Sequence, residues 1–356
     1  MSNALAELFW RKAQNPNVND LDRKHTKIVK AASKLTYKEL SENLINWNHQ
    51  KDSGAPLQLN KYNLKNNISL YYLREALKEI IFKLFFGGGN YDYFYDDIDI
   101  IKIINGWDIL KKCPIHETPG NHLVYYLEKD ISTNIRWLRY VYFLSVLRNN
   151  CKDELKNGLI IDIGSFYGGF QYIFKKNFPS SKHILIDLDH QNTRAAIYLS
   201  KSFPDATISG IYDFESLNKY KNRDKDPDFL IVSVDMFSNL DSLLQEEFTC
   251  ANLVTNFYSL GEMPKNQFDT YLNSSIIKNA NSLYFCNRWD SSPFYEPTYE
   301  HSYSVLEYII PEKDVVLLRN SGIHYFQNPV RNLYGRYRKR PLSATYFDLI
   351  QRNKKQ

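Results

Sequence analysis

The feature that most constrains this chain of 356 residues is a glycine loop between a short apolar run and a helical segment. The apolar run is 159–163, and the loop follows as Gly-Ser-Phe-Tyr-Gly-Gly over 164–169. A second apolar run, 183–186, ends on Asp187. A buried strand, a glycine turn, a helix and a second strand with an acid at its tip form half of a nucleotide-type binding site. The pattern therefore predicts an α/β fold with such a site.

The spacing of the loop narrows the class of ligand. A dinucleotide-binding loop has the form Gly-x-Gly-x-x-Gly, and a P-loop ends in Gly-Lys-Ser or Gly-Lys-Thr. This loop reads Asp-x-Gly-x-x-x-Gly-Gly from Asp162, with Phe166 at the place of the second glycine of the dinucleotide motif. The sequence therefore disfavours both classes. The glycines still allow a ligand to approach the backbone, and Asp187 can accept hydrogen bonds from ribose hydroxyls.

Apolar runs that alternate with helical segments from about residue 151 onward predict a parallel α/β sheet. We predict seven strands, at 159–163, 183–186, 229–234, 253–256, 282–285, 303–309 and 315–318. The predicted helices lie at 169–177, 191–202 and 268–277. Whether 208–212 forms a further short strand stays open. This order predicts a Rossmann-like, doubly wound sheet with its ligand at the carboxyl ends of the strands, beside the first strand.

The first 150 residues have a different pattern. Apolar residues recur at helical spacing in 35–40, 69–86 and 134–147, which predicts a helical N-terminal region. We therefore divide the chain into a helical region, 1–150, and a ligand-binding domain with a basic C-terminal tail, 151–356. Three roles stay open for the helical region, namely a lid over the site, a part of the substrate pocket or a dimer contact.

Cysteine use and the lack of long apolar runs predict a cytoplasmic protein. The four cysteines include no Cys-x-x-Cys pair, so neither a zinc site nor a disulfide framework is expected. The most apolar segment, 137–147, is too short for a membrane span and contains Arg139. The first residues lack the pattern of a signal peptide. We expect no transmembrane segment and no metal site. A peripheral position at the inner membrane surface and a homodimer stay open.

The exit of the fourth predicted strand carries a second pattern, Asn256-Phe-Tyr-Ser-Leu-Gly-Glu-Met-Pro264. Together with the glycine loop, Ile186-Asp-Leu-Asp189 and Asn287-Arg-Trp289, it resembles the sugar O-methyltransferase family. This is a group of class I S-adenosylmethionine-dependent methyltransferases associated with bacterial surface-polysaccharide gene clusters. The resemblance covers roughly 155–330. Asp162 stands where the family has Glu, and Ser165 stands where it has Gly.

The resemblance implies S-adenosylmethionine as the cofactor. In the family, the acid of the first motif lies near the methionine amino group and the acid after the second strand holds the ribose, and Asp162 and Asp187 match these positions. Asp235, after the third strand, would meet the adenine edge with Met236 on the ring, and Asp213 is the alternative. The cofactor-binding positions implied in this way are Asp162, Gly164, Ser165, Tyr167, Gly168, Gly169, Asp187, Leu188, Asp235, Met236 and Asn256.

The acceptor implied by the resemblance is a sugar hydroxyl on a free, nucleotide-linked or lipid-linked glycan, as in O-antigen or lipopolysaccharide biosynthesis. Methyl transfer to an alcohol needs an aligned oxygen and benefits from a general base. Glu262 is the leading candidate for the base, although it could equally order its loop, and His301 and His324 are the alternatives. The residues expected to hold the acceptor are Tyr258, Ser259 and Arg288. Arg288 could instead form a salt bridge.

Two other functions stay in competition with this one. Basic residues, which can attract nucleic acid, are concentrated late in the chain, at Arg331, Arg336, Arg338, Lys339, Arg340, Arg352, Lys354 and Lys355. A nucleic-acid methyltransferase could use them, but the fourth strand lacks Asn-Pro-Pro-Tyr, so we expect no nucleic-acid partner. The other alternative is a non-catalytic protein that binds a glycan or a protein partner and has a degenerate cofactor pocket.

Overall fold

The computed structural model of the chain describes residues 2–14, 91–115, 125–128, 131–291, 303–323, 330–331, 337–338 and 346–354. The predicted helices over 35–40 and 69–86 lie outside these residues, as do the candidate bases His301 and His324. The basic residues Arg336, Lys339, Arg340 and Lys355 and the side chains of Arg331 and Arg338 also lie outside them.

The described strands and helices are numbered here in chain order. The strands are β1 (Tyr125–Glu128), β2 (Ile131–Thr133), β3 (Leu159–Ile163), β4 (Lys182–Asp187), β5 (Ile208–Ile211), β6 (Phe229–Ser233), β7 (Leu253–Phe257), β8 (Ser282–Arg288), β9 (Asp290–Ser291), β10 (Tyr303–Ser304), β11 (Lys313–Asn320), β12 (Val330–Arg331), β13 (Tyr337–Arg338) and β14 (Tyr346–Asn353). The helices are α1 (Ser2–Ala13), α2 (Tyr91–Ile103), α3 (Trp107–Lys112), α4 (Ile135–Asn150), α5 (Lys152–Leu155), α6 (Gly169–Asn177), α7 (Asp189–Ser202), α8 (Phe214–Lys221), α9 (Phe237–Glu246), α10 (Lys265–Leu272) and α11 (Ser275–Asn279).

Eight of these strands form one sheet in the order β11-β14-β8-β7-β3-β4-β6-β5. Strands β5, β6, β4, β3, β7 and β8 pair in parallel, and β14 runs antiparallel to both of its neighbours. From β3 the chain continues to β4 on one side, and it later crosses from β6 to β7 on the other side. The carboxyl end of β3 is therefore the switch point of the sheet. This order confirms the predicted Rossmann-like, doubly wound α/β fold.

The strand count and the last part of the chain differ from the prediction. The sheet has eight strands, because 208–211 forms the edge strand β5, which the sequence left open, and because β14 was missed. The predicted strand over 303–309 is wrong. Only Tyr303–Ser304 is extended, in a short pair with β9, and Val305–Tyr308 forms a 3₁₀ helix that Ser304 caps. The apolar residues of this segment favour a strand, but the cap at Ser304 stabilises one helical turn instead.

Helices cover both faces of the sheet, which gives two apolar cores. One face packs against α1, α3, α4, α6 and α7, and the other packs against α8, α9, α10 and α11. Helix α4 begins at the predicted place, where Asn134 accepts a hydrogen bond from the amide of Trp137. It is buried on nearly all sides from Val141 to Leu147 instead of being amphipathic. Among the described residues, no helix combines the length and apolarity that crossing a membrane would need.

Candidate active site

The glycine loop and the acid after β4 are joined directly. The amide of Phe166 donates to Asp187 Oδ2 at 2.6 Å, and the amide of Leu188 donates to Oδ1 at 2.7 Å. The amide of Gly164 donates to the carbonyl of Ile186 at 2.8 Å. The loop is therefore hydrogen-bonded to the end of β4, and Asp187 lies half-buried at the switch point. Each carboxylate oxygen can accept a second hydrogen bond, so Asp187 is still able to hold a ligand hydroxyl.

Three residues of the loop, Gly164, Phe166 and Gly168, have left-handed backbone conformations. Gly164 has φ of 79°, and Phe166 has φ of 56°. A Cβ at Gly164 would overlap the Cβ and Oγ of Ser259, which follows β7. Glycine is therefore needed here by the neighbouring strand exit as well as by the backbone conformation. Phe166 keeps its conformation through its bond to Asp187, and its ring lies near the guanidinium groups of Arg136 at 4.7 Å and Arg194 at 5.6 Å.

We expect Gly164→Ala to lower the free energy of unfolding by about 2–4 kcal/mol, because it adds backbone strain to a steric overlap. In a Ser259→Gly background the overlap is removed, so the same substitution should cost only about 1–2 kcal/mol. Urea denaturation of the four proteins in this double-mutant cycle measures the difference. Equal costs in both backgrounds would contradict the overlap.

Packing explains Gly169, and the backbone conformation explains Gly168. A Cβ at Gly169, the first residue of α6, would lie 2.6 Å from the ring of Tyr140 and 2.7 Å from that of Tyr167. Gly168 has φ of 84° and caps α6. Tyr167 is 1% exposed and packs edge-on against Tyr140 and Tyr198. The structure thus places Tyr167 in the aromatic layer beneath the loop.

Several buried polar atoms around the loop have no hydrogen-bond partner within the described residues. They are Ser165 Oγ, Asp189 Oδ1 and Asn192 Oδ1. Ser165 is 4% exposed, and Asn192 is fully buried, with its amide nitrogen donating to the carbonyls of Asp187 and Val232. Since buried polar atoms are normally satisfied, these three are suited to a polar ligand. They fit a nucleoside with hydroxyl and amino groups, which can both donate and accept.

Asp162 does not face the loop surface. It is 3% exposed, and it accepts hydrogen bonds from Thr255 Oγ1 at 2.6 Å and from Gln171 Nε2 at 2.5 Å. Burial raises the pKa of Asp162 to about 7, although both hydrogen bonds act against the rise. Its side chain therefore ties β3 to β7 and α6. The structure gives it this anchoring place instead of an open contact with the methionine part of a cofactor.

The raised pKa of Asp162 predicts a pH dependence. Between its ordinary pKa of 3.8 and about 7, the folded protein keeps a proton that the unfolded chain has released, so stability falls as the pH rises through this window. For Asp162→Asn, whose amide can donate to Gln171 Oε1, we expect this fall to be absent. When the pH is raised from 5 to 8, the free energy of unfolding of the variant should increase by about 2–3 kcal/mol relative to that of the wild type. Urea denaturation at both pH values, with the exposed Asp205→Asn as control, tests this, and parallel curves would contradict it.

The residues expected at the adenine edge lie beside the N-terminal helix. Lys12, at the end of α1, donates to the carbonyl of Tyr212 at 2.9 Å and to Ser233 Oγ at 2.8 Å. It also pairs with Asp235 at 3.2 Å and with Asp189 at 3.9 Å. These partners lie at or just after the ends of β5, β6 and β4, so one ammonium joins three strand ends. Met236 differs from the expectation, because it is 4% exposed and packs in the core.

The exit of β7 is held by a network of amides. Asn256 is fully buried, and its nitrogen donates to the carbonyl of Ile163 at 2.6 Å and to Ser259 Oγ at 2.5 Å. Its oxygen accepts from Asn287 Nδ2 at 2.9 Å and from the amide of Leu260. Asn256 therefore orders the turn from below and presents no atom to a ligand. Ser259 also bonds to the end of β3, donating to the carbonyl of Ile163 at 3.1 Å.

Above this turn the structure brings three of the predicted residues together. Glu262 ends a 3₁₀ turn, and its Oε1 lies 3.6 Å from Nη2 of Arg288 at the end of β8. Tyr258 has a left-handed backbone with φ of 73°, and its ring packs edge-on against Tyr346 at 4.9 Å. Arg288 Nε donates to the hydroxyl of Tyr346 at 3.4 Å. A carboxylate, a guanidinium and two tyrosines thus surround the exits of β7 and β8.

The sequence analysis missed Lys12 and Tyr346. Lys12 and Tyr346 reach the site only through tertiary packing, since they lie far from the motifs along the chain.

Comparison with known proteins finds solved structures that align with this chain, among them the following three. No protein-family model and no curated protein matches the sequence. A protein from Streptococcus mutans described as a SAM-dependent methyltransferase aligns with 66% of this chain and 54% of its own, at 8% identity and a TM-score of 0.37. Geranyl diphosphate methyltransferase in complex with SAM aligns with 62% of this chain and 87% of its own, at 9% identity and a TM-score of 0.37. The N-methyltransferase NodS from Bradyrhizobium japonicum WM9, in complex with S-adenosyl-L-homocysteine, aligns with 62% of this chain and 88% of its own, at 11% identity and a TM-score of 0.35.

This chain therefore spans about half the length of the Streptococcus mutans protein. All three are described as methyltransferases, and of these only geranyl diphosphate methyltransferase carries the name of an acceptor. Since no family model matches, the resemblance to the sugar O-methyltransferases stays a prediction. The fold assignment rests on the strand order of the sheet itself.

Proposed function

We propose that this protein is an S-adenosylmethionine-dependent methyltransferase. The observation that carries the proposal is the junction at the switch point, where Asp187 accepts the amide of Phe166 from the glycine loop. An acid after the second strand of the switch point, next to a glycine loop, is suited to the two hydroxyls of a ribose. The loop lacks the glycine spacing of dinucleotide-binding proteins, which favours a ligand without a pyrophosphate.

Four positions would hold the cofactor. Asp187 would accept the ribose hydroxyls, Ser165 would bond the methionine end, and Asp189 and Asp235 would lie at the adenine end next to Lys12. When bound, the cofactor supplies a methyl group that is already strongly electrophilic. The protein therefore needs to orient the acceptor oxygen in line with that methyl group, which can lower the barrier by several kcal/mol, with about 7–11 kcal/mol as the ceiling.

We further propose that the acceptor is a sugar hydroxyl in surface-glycan biosynthesis, that the protein acts in the cytoplasm and that the ligand-binding domain begins near residue 151. The sugar proposal is supported by the resemblance around Glu262 and Arg288 and by the aromatic walls of Tyr258 and Tyr346, on which a sugar ring can pack. Glu262 would take the proton of the acceptor hydroxyl as the hydroxyl oxygen bonds the methyl carbon and the bond between that carbon and the sulfur breaks, which releases S-adenosylhomocysteine. Such a base contributes about 10²- to 10⁴-fold in rate.

A methyl-transfer assay tests the proposal. The purified chain is incubated with methyl-labelled S-adenosylmethionine and with separate pools of sugars, nucleotide sugars, glycans and RNA. We expect label in a sugar-containing pool and an equal amount of S-adenosylhomocysteine formed. Label in RNA alone would contradict the sugar acceptor and leave the methyltransferase in place. A folded protein that binds no S-adenosylmethionine would contradict the whole proposal.

A further inference from the structure

Strand β11 is an edge strand of the eight-stranded sheet. Within the part of the chain that the structure describes, β11 pairs only with β14, so its outer side faces no other strand. It has eight residues, whereas the opposite edge strand, β5, has four. Natural sheets usually keep an edge strand short or charged, because the free amides and carbonyls of a long one can bind a further strand. The length of β11 therefore points to an interaction edge.

The aliphatic side chains of β11 are more exposed than those of the strand beside it. Val315 and Val316 are each 44% exposed, and Leu318 is 37% exposed. On β14, Leu349 and Ile350 are fully buried. Consecutive exposed aliphatic residues on a long edge strand form a surface that another strand can cover.

The hydrogen bonds of β14 show which backbone groups of β11 face outward in its second half. Directly after β11, the amide of Ser321 donates to the carbonyl of Tyr346 on β14 at 2.9 Å. Residues of an antiparallel strand alternate between bonding one neighbour and bonding the other. The amide and carbonyl groups of Leu318 and Asn320 therefore face the open edge.

A β-bulge gives the first half of β11 a matching orientation. The amide of Asn353 donates to the carbonyl of Asn281, away from β11, and Asn353 lies opposite Lys313. Lys313 and Val315 therefore also direct their backbone groups to the open edge. Val316 is the extra residue between the two halves. Without this bulge, Val315 and a residue three positions later would face opposite edges, so the bulge brings both halves into phase.

This pattern fits an antiparallel pairing of β11 with a second copy of itself. If Val315 lies opposite Leu318 of the second copy, then Asp314 lies opposite Arg319 of the second copy, and two-fold symmetry repeats both pairs. Aliphatic residues then face each other, and so do opposite charges, which are favourable cross-strand pairs. Asp314 is exposed, and the side chain of Arg319 is 45% exposed. Arg319 also lies 3.6 Å from Asp348, which holds its guanidinium near this edge.

We propose that two copies of the chain pair antiparallel through β11, which joins their sheets into one continuous sheet across a two-fold axis. Backbone hydrogen bonds would supply the affinity, and the charge pairs and aliphatic pairs would fix the register. Because both copies use the same edge, the assembly closes as a dimer and does not grow into a fibre. This surface lies outside the proposed cofactor site, so the dimer is independent of the proposed function.

Sedimentation velocity of the full chain from about 1 to about 100 µM tests the proposal. We expect a particle with twice the mass of one chain in the upper part of this range. Leu318→Pro removes an outward amide without taking a hydrogen bond from β14, and Asp314→Arg places like charges opposite each other. Each variant should raise the dissociation constant of the dimer at least about tenfold.

A matched control and a folding measurement make these variants decisive. Phe214→Lys changes an apolar side chain that is 67% exposed at the start of α8, next to β5 at the other edge of the sheet, and the dimer should persist. Circular dichroism and thermal melting measure folding. Asp314→Arg changes an exposed side chain, so it tests the interface even where Leu318→Pro does not fold. A monomeric wild type over the whole range, or a folded Asp314→Arg protein with wild-type affinity, would overturn the proposal.

Cysteine cross-linking tests the register. Val315→Cys and Leu318→Cys are made as separate proteins in a Cys250→Ser background, which removes the exposed cysteine. Opposite residues of an antiparallel pair have Cα atoms about 4.5–5.5 Å apart, which is within reach of a disulfide. We expect oxidation of the mixture to give cross-linked dimers and oxidation of either protein alone to give few. Equal cross-linking in all three samples, or none in the mixture, would overturn the proposed pairing.

Discussion

Replacing Asp187 by alanine is expected to weaken S-adenosylhomocysteine binding by about 10²-fold or more. A hydrogen bond to a charged group contributes about 1.5–3 kcal/mol, and a ribose offers two hydroxyls to this carboxylate. The substitution also removes the acceptor for the amides of Phe166 and Leu188, so the glycine loop loses its anchor on β4. Calorimetric titration of the variant measures the loss.

Two controls separate ligand binding from folding in this experiment. Asp187→Asn keeps one acceptor oxygen for the loop, so we expect it to fold normally and still to bind at least about tenfold more weakly than the wild type. Asp205→Ala removes an exposed acid in the turn after α7, and its affinity should equal that of the wild type. If a folded Asp187→Ala protein binds with unchanged affinity, the ribose role of this residue is wrong.

Replacing Glu262 by glutamine should lower kcat by about 10²- to 10⁴-fold on the acceptor found in the transfer assay. Glutamine keeps the size of the side chain and can still bond Arg288, but it cannot take the proton of a hydroxyl at neutral pH. Binding of S-adenosylhomocysteine should stay within twofold. Steady-state rates and cofactor titrations of the same preparation measure both quantities.

The glutamine variant also decides between the two roles predicted for Glu262. If this side chain only orders its loop, glutamine should preserve that order, and kcat should stay within a few-fold of the wild type. Glu246→Gln, on the far helix α9, removes an exposed carboxylate that pairs with Lys221, and it controls for a general effect of charge. A wild-type rate in Glu262→Gln would exclude the general-base role.

The parallel half of the fold could be predicted from sequence because its signals are local. Buried strands β3, β4, β6 and β8 each contain three or more consecutive apolar residues, as expected when both faces of a sheet are covered. Helix α6 begins and ends at its predicted residues, since glycine opens it. The last part of the chain is different, because β14 alternates apolar residues with Asp348 and Gln351. These polar side chains are satisfied by tertiary partners, for example Tyr284 and Tyr142 on Asp348.

The positions of the residues within the sequence motifs could be predicted, whereas the directions of their side chains and the contacts with distant parts of the chain could not. Asp187, Ser165, Glu262 and Arg288 lie where the glycine loop and the strand exits indicate. Asn256 and Asp162 share these motifs, but their side chains point into hydrogen-bond networks beneath the turns. The side of a turn to which a polar residue points depends on its neighbours in space, which one sequence does not contain. For the same reason the contacts of Lys12 with the strand ends became visible only in the fold.

The central claim is that the switch point binds S-adenosylmethionine. Calorimetric titration of S-adenosylmethionine and S-adenosylhomocysteine into the wild-type protein, with NAD as control, tests it most directly. We predict micromolar binding of the first two compounds with one site per chain, and no binding of NAD. A folded protein that binds neither S-adenosylmethionine nor S-adenosylhomocysteine would contradict the account.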